Sequence, residues 1–199
     1  MIKKYITNIN IDFYKKNILE KEKEIVKTYP SASSGGTGLG KNSLTSRFSF
    51  YNLLEWKCFK NLREDIKKFY IDYSDFYDQN EPIYVQCWAN VLRNGEKMNL
   101  HSHCSDKHHT SYGGISGTLF VYGDIKTYTQ YHFGDKNNIF ILNEPGVMTL
   151  FPSNISHKVD EYTGNNERIS IAFDIKTEKD WKINKFFYNK SNPFWISIK

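Results

Sequence analysis

The sequence predicts a mainly β domain, a sandwich or barrel of short strands preceded by two or three helices. Three observations predict it. From residue 83 the side-chain pattern changes to period two: Ile83, Val85, Cys87, Ala89 and Val91 on one face, Tyr84, Gln86, Trp88, Asn90 and Leu92 on the other. Turn signals then recur at short intervals: Asn94-Gly95, Gly113-Gly114, Gly123-Asp124, Gly134-Asp135, Pro145-Gly146 and Gly164-Asn165. The chain also holds 14 Tyr and 14 Phe, residues that suit half-buried strands better than helices.

Taken in order, Tyr5 to Phe13 alternates apolar and polar residues and predicts a strand. Asn17 to Tyr29, rich in Lys and Glu, predicts a surface helix ended by Pro30. Residues 31 to 46, SASSGGTGLGKNSLTS, read as a flexible loop suited to cover a site. Leu54, Phe59, Leu62, Ile66 and Phe69 have helical spacing within Leu53 to Tyr73. After residues 83 to 92, strands are expected at Met98–His103, Thr118–Tyr122, Ile125–Phe133, Ile139–Asn143, Val147–Phe151 and Arg168–Ile175. The tail, residues 176 to 199, carries Trp181, Phe186, Phe187, Phe194 and Trp195 and is expected to pack back on the core. One domain therefore spans residues 1–199: an N-terminal part (1–80), a β core (83–175) and the tail.

The net charge of +5 is spread along the chain without a block of like charges. It serves solubility and leaves nucleic acid open as a partner. Cys58, Cys87 and Cys104 leave one thiol unpaired in any disulfide scheme, which points to a reducing compartment. No apolar run reaches signal-peptide or transmembrane length, so the expected location is the cytoplasm, without membrane contact.

Gly35 to Lys41 fits G-x-x-x-x-G-K, but Asn42 stands where a phosphate loop needs Ser or Thr for magnesium. The preceding TYPSASS is no buried strand. This stretch is not expected to hold a nucleotide.

The histidines carry the chemistry. His101 and His103 are two apart, so a strand would project both imidazoles from one face, where they can grip one metal ion. A third ligand must come from elsewhere, and His157, after GVMTLFPSNIS, is the best candidate. Three ligands on one face leave coordination positions open for chemistry. An isolated H-x-H pair is often a surface accident; the lead-in Gly95 to His101 and a suitably placed third His argue against that here. His108, His109 and His132 are weaker candidates.

WANVLRNGEKMNLHSHCSD, SGTLFVYGD, GVMTLFPSNISHKV and ERISIAFDI together resemble the 2-oxoglutarate–iron(II) oxygenase family of phage and bacterial type. That family is similar in fold to the prolyl hydroxylases, a double-stranded β-helix (a jelly-roll, cupin-like barrel). The resemblance implies iron(II) and 2-oxoglutarate as cofactors and a dioxygenase, or hydroxylase, activity. It implies iron ligands from a H-x-Asp/Glu pair and a distant His. It further implies that Arg168, eleven residues past His157, binds the far carboxylate of 2-oxoglutarate with Ser170. Arg168 and Ser170 share a strand face, and a guanidinium can fork onto a carboxylate. A surface ion pair of Arg168 with Glu167 or Asp174 is the plainer alternative. His103 stands where that pattern has its carboxylate, so either three histidines bind iron or Asp106 replaces one of them. Trp88, Asn90 and Tyr112 are candidate substrate contacts.

The same residues also resemble a cupin: Gly95-x5-His101-x-His103, then Gly146-x5-Pro152 with His157. Lys107 and His108 replace the expected cupin Glu, and Asn154 a cupin Gly. The alternative functions are thus a three-His cupin that does not use 2-oxoglutarate, or a non-catalytic binding module. For residues 35–45, calorimetry should detect no ATP binding, and Lys41→Ala should leave metal binding intact. ATP heat that the mutation abolishes would overturn the dismissal of this loop.

Overall fold

The computed structural model describes residues 1–30, 38–40, 42–74, 81–103, 114–134, 137–178, 180 and 194–198. Strand β1 spans Lys3–Ile6 and helix α1 spans Ile11–Thr28. The alternation over residues 5–13 therefore predicts too long a strand. The side chain of Asn10 accepts the Phe13 N–H (3.0 Å) and starts the helix at Ile11. Tyr14, Ile18, Glu22 and Ile25 form its buried stripe. Within Leu53–Tyr73, two 3₁₀ turns precede helix α2, Lys60–Tyr73, which buries Leu62, Ile66, Phe69 and Tyr70.

The remaining strands are β2 (Ile83–Leu92), β3 (Met98–His101), β4 (Ile115–Tyr122), β5 (Tyr128–His132), β6 (Asn138–Leu142), β7 (Val147–Pro152), β8 (Ser156–Val159), β9 (Arg168–Thr177) and β10 (Ile196–Ile198). They make two antiparallel sheets, ordered β1-β7-β4-β9-β2-β10 and β3-β8-β5-β6. This is the predicted mainly β architecture with helices before it. β8 and β10 are short strands that the sequence pattern does not mark.

The larger sheet separates two environments. The face bearing Ile83, Val85, Cys87, Ala89 and Val91 joins Tyr14, Ile18, Phe59, Leu62 and Ile66 of the helical segment in one apolar core. The opposite face, with Trp88, Asn90 and Ser170, lines a cavity between the sheets. Leu39, Leu92, Met98, Val159 and Tyr162 form a second, smaller core. At the far edge β10 pairs with β2, and buried Asn52 donates to the carbonyls of Val85 (2.9 Å) and Phe194 (2.7 Å). Among the described residues no helix is long and apolar enough to cross a membrane.

Gly117 sits in β4 where a Cβ would overlap the Phe173 ring and stand 2.9 Å from the Thr149 carbonyl oxygen. Gly117→Ala should therefore destabilise the fold by about 1–3 kcal/mol through overpacking. The urea midpoint should fall at constant slope; an unchanged midpoint would show that the sheet yields freely there.

Candidate metal centre

β3 and β8 are antiparallel neighbours in which His101 and His157 are direct Cα partners. β8 also pairs with β5, which places His157 opposite Tyr131. The ring centroids of His101 and His157 lie 4.4 Å apart. His103 lies beyond the end of β3, which stops at His101, so strand alternation does not by itself aim its ring. Its N–H bonds the Ser153 carbonyl (3.0 Å), and its ring stands 5.4 Å from that of His101 and 5.1 Å from that of His157. One ligand nitrogen from each of the three lies within 4.8 Å of the others.

Hydrogen bonds decide which nitrogen of each ring is available. Nδ1 of His101 faces the Asn99 carbonyl at 2.7 Å, and Nδ1 of His157 faces the Ile155 carbonyl at 3.2 Å. Nδ1 of His103 lies 2.6 Å from Asp174 Oδ1. Since these acceptors carry no proton, each Nδ1 is a donor nitrogen, and Nε2 is the atom left to bind a metal when the ring is neutral. Burial, with the neighbouring imidazole of His103, lowers the pKa of His101 and holds that of His157 well below the ordinary value. A divalent transition metal takes imidazoles in the neutral form, which burial favours for His101 and His157. The chemistry of this donor set therefore fits iron.

The cavity encloses about 240 Å³, with the triad in its wall. On its inner ladder Leu92, Asn90, Trp88 and Gln86 of β2 pair with Arg168, Ser170, Ala172 and Asp174 of β9. Arg168 is only 1% exposed, so it is no surface residue. Its Nη1 donates to Ser170 Oγ and its Nε to Thr127 Oγ1, both at 3.3 Å, and its guanidinium lies 5.3 Å from the Phe120 ring centre. Among the described residues no carboxylate forms an ion pair with it, and Asp174 is engaged by His103 instead. Burial pulls its pKa down to about 10, which leaves it charged at neutral pH. A buried cation without a protein anion invites an anionic ligand.

Trp88 and Asn90 line the same cavity; Trp88 lies between Phe48 (5.6 Å) and His103 (5.5 Å), and Asn90 accepts a bond from Thr45 (2.8 Å). Thr45, from the Ser/Gly loop, is thus part of the wall. Asp106 and Tyr112 lie outside the described residues. His132 does not line the cavity. Sequence reasoning missed Asp174, Tyr131 and Thr149. Tyr131 is fully buried, its hydroxyl 2.8 Å from that of Thr149, and burial raises its pKa so that it stays a neutral phenol. Asp174 shares the strand parity of Arg168 and Ser170, a signal present in ERISIAFDI but not used.

The fold and the triad together define a non-haem metal protein of the double-stranded β-helix class. The model of the family described as "Putative 2OG-Fe(II) oxygenase" matches residues 86–174. Among solved structures, a prolyl-4-hydroxylase of Pseudomonas putida is similar with a TM-score of 0.58 at 9% identity, covering 88% of this chain and 91% of that one. A prolyl hydroxylase of Trichoplax adhaerens, solved with a peptide of hypoxia inducible factor, gives 0.60 at 12%, covering 92% and 86%. A viral collagen prolyl hydroxylase of Paramecium Bursaria Chlorella virus-1, solved with 2-oxoglutarate, gives 0.55 at 10%, covering 87% and 94%. At such identities these are likenesses of fold. No curated protein matches the sequence. The core of this chain, residues 86–174, is thus similar to the 2-oxoglutarate–iron(II) oxygenase family, and that match together with the fold supports a non-haem iron, 2-oxoglutarate-dependent oxygenase.

The geometry predicts about one divalent ion per chain. His157→Ala, which removes one of three donors, should abolish most of that binding. Elemental analysis of metal-loaded, desalted protein checks this; unchanged occupancy would remove His157 from the ligand set.

Proposed function

We propose that this protein hydroxylates its substrate with iron(II) held by Nε2 of His101, His103 and His157, and with 2-oxoglutarate anchored by Arg168 and Ser170. The observation that carries this reading is the buried Arg168, without a carboxylate partner among the described residues, in the cavity that the three histidines share. When bound, iron(II) would activate dioxygen at the expense of 2-oxoglutarate, so that substrate, dioxygen and 2-oxoglutarate give hydroxylated product, succinate and carbon dioxide.

The chain's own groups bind, orient and shield. Arg168 supplies a planar fork for the far carboxylate of 2-oxoglutarate, with Ser170 Oγ beside it as a further donor. Thr127 is fixed from behind by Asn143 Nδ2 (3.0 Å), and so presents its oxygen to Arg168 Nε. Because the guanidinium is already oriented, little order is lost when an anion arrives. Tyr131 and Thr149 add hydroxyl groups to the same wall. Phe120, Ile141, Val147 and Val159 make much of the lining apolar, which keeps water from competing with the charged contacts. Trp88 and Asn90 serve the substrate side of the metal.

A three-His cupin has the same triad but no need for a buried arginine, so Arg168 favours the oxygenase. The free thiols of Cys58 and Cys87 support a reducing location, the cytoplasm.

The decisive experiment is an anaerobic titration of 2-oxoglutarate into the iron(II)-loaded protein, following the metal-to-ligand charge-transfer band. A charge-assisted hydrogen bond contributes about 1.5–3 kcal/mol, so Arg168→Ala should weaken binding by roughly tenfold to a hundredfold. The metal should stay in place. Absence of a band and of saturable binding in the wild type would leave a metalloprotein that does not use 2-oxoglutarate. Equal binding by Arg168→Ala would move the carboxylate anchor elsewhere.

A further inference from the structure

Among the described residues, no carboxylate oxygen joins the three imidazole nitrogens that converge in the cavity. A carboxylate nevertheless stands directly behind one of them. Asp174 Oδ1 lies 2.6 Å from Nδ1 of His103, on the side of the ring away from the free Nε2. His101 and His157 direct the same nitrogen at backbone carbonyls, which are neutral. One ring of the three therefore leans on a full charge.

We propose that Asp174 is a positioning residue that makes His103 the strongest of the three donors, so that the His103–Asp174 pair replaces the carboxylate ligand of the related pattern. The proposal rests on the three-histidine reading of the site and deepens it. A hydrogen bond from an imidazole N–H to an ionised acceptor is shorter and stronger than one to a carbonyl, and it raises the basicity of the opposite nitrogen. The negative charge that a carboxylate ligand would bring is thus present, displaced by one ring.

The surroundings hold the pair in this arrangement. Ser116 Oγ lies 2.5 Å from the same Asp174 oxygen and 2.9 Å from Ser153 Oγ. A hydroxyl has one hydrogen; if Ser116 gives it to the carboxylate, Ser153 must donate to Ser116. The Ser153 carbonyl also accepts the His103 N–H (3.0 Å), so the backbone and ring of His103 are tied to one cluster. The side chains are 9% exposed for His103 and 16% for Asp174, which limits screening of their interaction by water. With His103 and Ser116 on Oδ1, Asp174 is held as a partner of the ligand and not as a ligand.

The test is an anaerobic cobalt(II) titration, read by calorimetry and by the visible ligand-field bands. Asp174→Asn keeps the side-chain shape and removes the charge. It should weaken cobalt binding about tenfold to a hundredfold and shift the bands, an effect of the size found for such partners of ligating histidines. Adding His103→Asp to Asp174→Asn, which moves the carboxylate onto the metal, should recover binding to within about tenfold of wild type. Equal affinity and unshifted bands in Asp174→Asn would overturn the proposal. If Asp174→Asn does not fold, Asp174→Glu, which keeps a carboxylate but displaces it from Nδ1 of His103, takes its place. It should weaken cobalt binding several-fold and shift the bands; equal binding with unshifted bands overturns the proposal too. Wild-type protein that takes up no cobalt would remove the metal site itself, a different failure.

Discussion

Three imidazoles that stand ring against ring in a half-buried wall must be oriented and must not all carry charge into the shared space. Each here meets a hydrogen-bond acceptor at its Nδ1, two backbone carbonyls and one carboxylate, and burial pulls the pKa of His101 and His157 down. The acceptors also fix the ring orientations, so one nitrogen from each ring lies within 4.8 Å of the others. Much of the fold serves this constraint. The β3–β8 pairing brings His101 beside His157, and the Ser153 carbonyl holds His103 after the strand has ended.

The larger sheet makes such a polar interior compatible with stability. Its outer face is apolar and packs with the helical segment into the main hydrophobic core. The inner face is then free to carry Asn90, Arg168, Ser170, Thr118 and Asp174, groups that would each cost free energy if buried without partners. Those partners are present. Thr45 bonds Asn90, Ser170 and Thr127 bond Arg168, Thr149 bonds Thr118, and His103 and Ser116 bond Asp174. The strand alternation that sorts apolar from polar residues therefore also sorts stability from chemistry.

The charges follow the same division. Arg168 and Asp174 sit six residues apart on one strand face; Asp174 bonds His103 and Ser116, while among the described residues Arg168 has hydroxyl partners and no carboxylate. That separation puts the three histidines at the Asp174 end of the cavity and the guanidinium at the other, as the proposed division between metal and anion requires. The family match and the double-stranded β-helix fold agree with such a division.

Periodicity and spacing in the sequence by themselves determined the mainly β class, the alternation in residues 83–92, the H-x-H pair with its distant third histidine, and the shared face of Arg168 and Ser170. These are local properties, fixed by which way successive side chains point. They failed where a local signal competed with another, as at residues 5–13, where the Asn10 cap starts a helix inside an alternating stretch. They were silent on β8 and β10, too short to show a period, and on His103, whose ring is aimed from beyond its strand by a bond to Ser153. Only the tertiary structure decided that Arg168 is buried rather than paired at the surface, and that Asp174 backs His103. Both depend on the register of β9 against β2 and β4, between residues distant in the chain. Such pairings follow from how the whole sheet buries its apolar face, which no segment states alone.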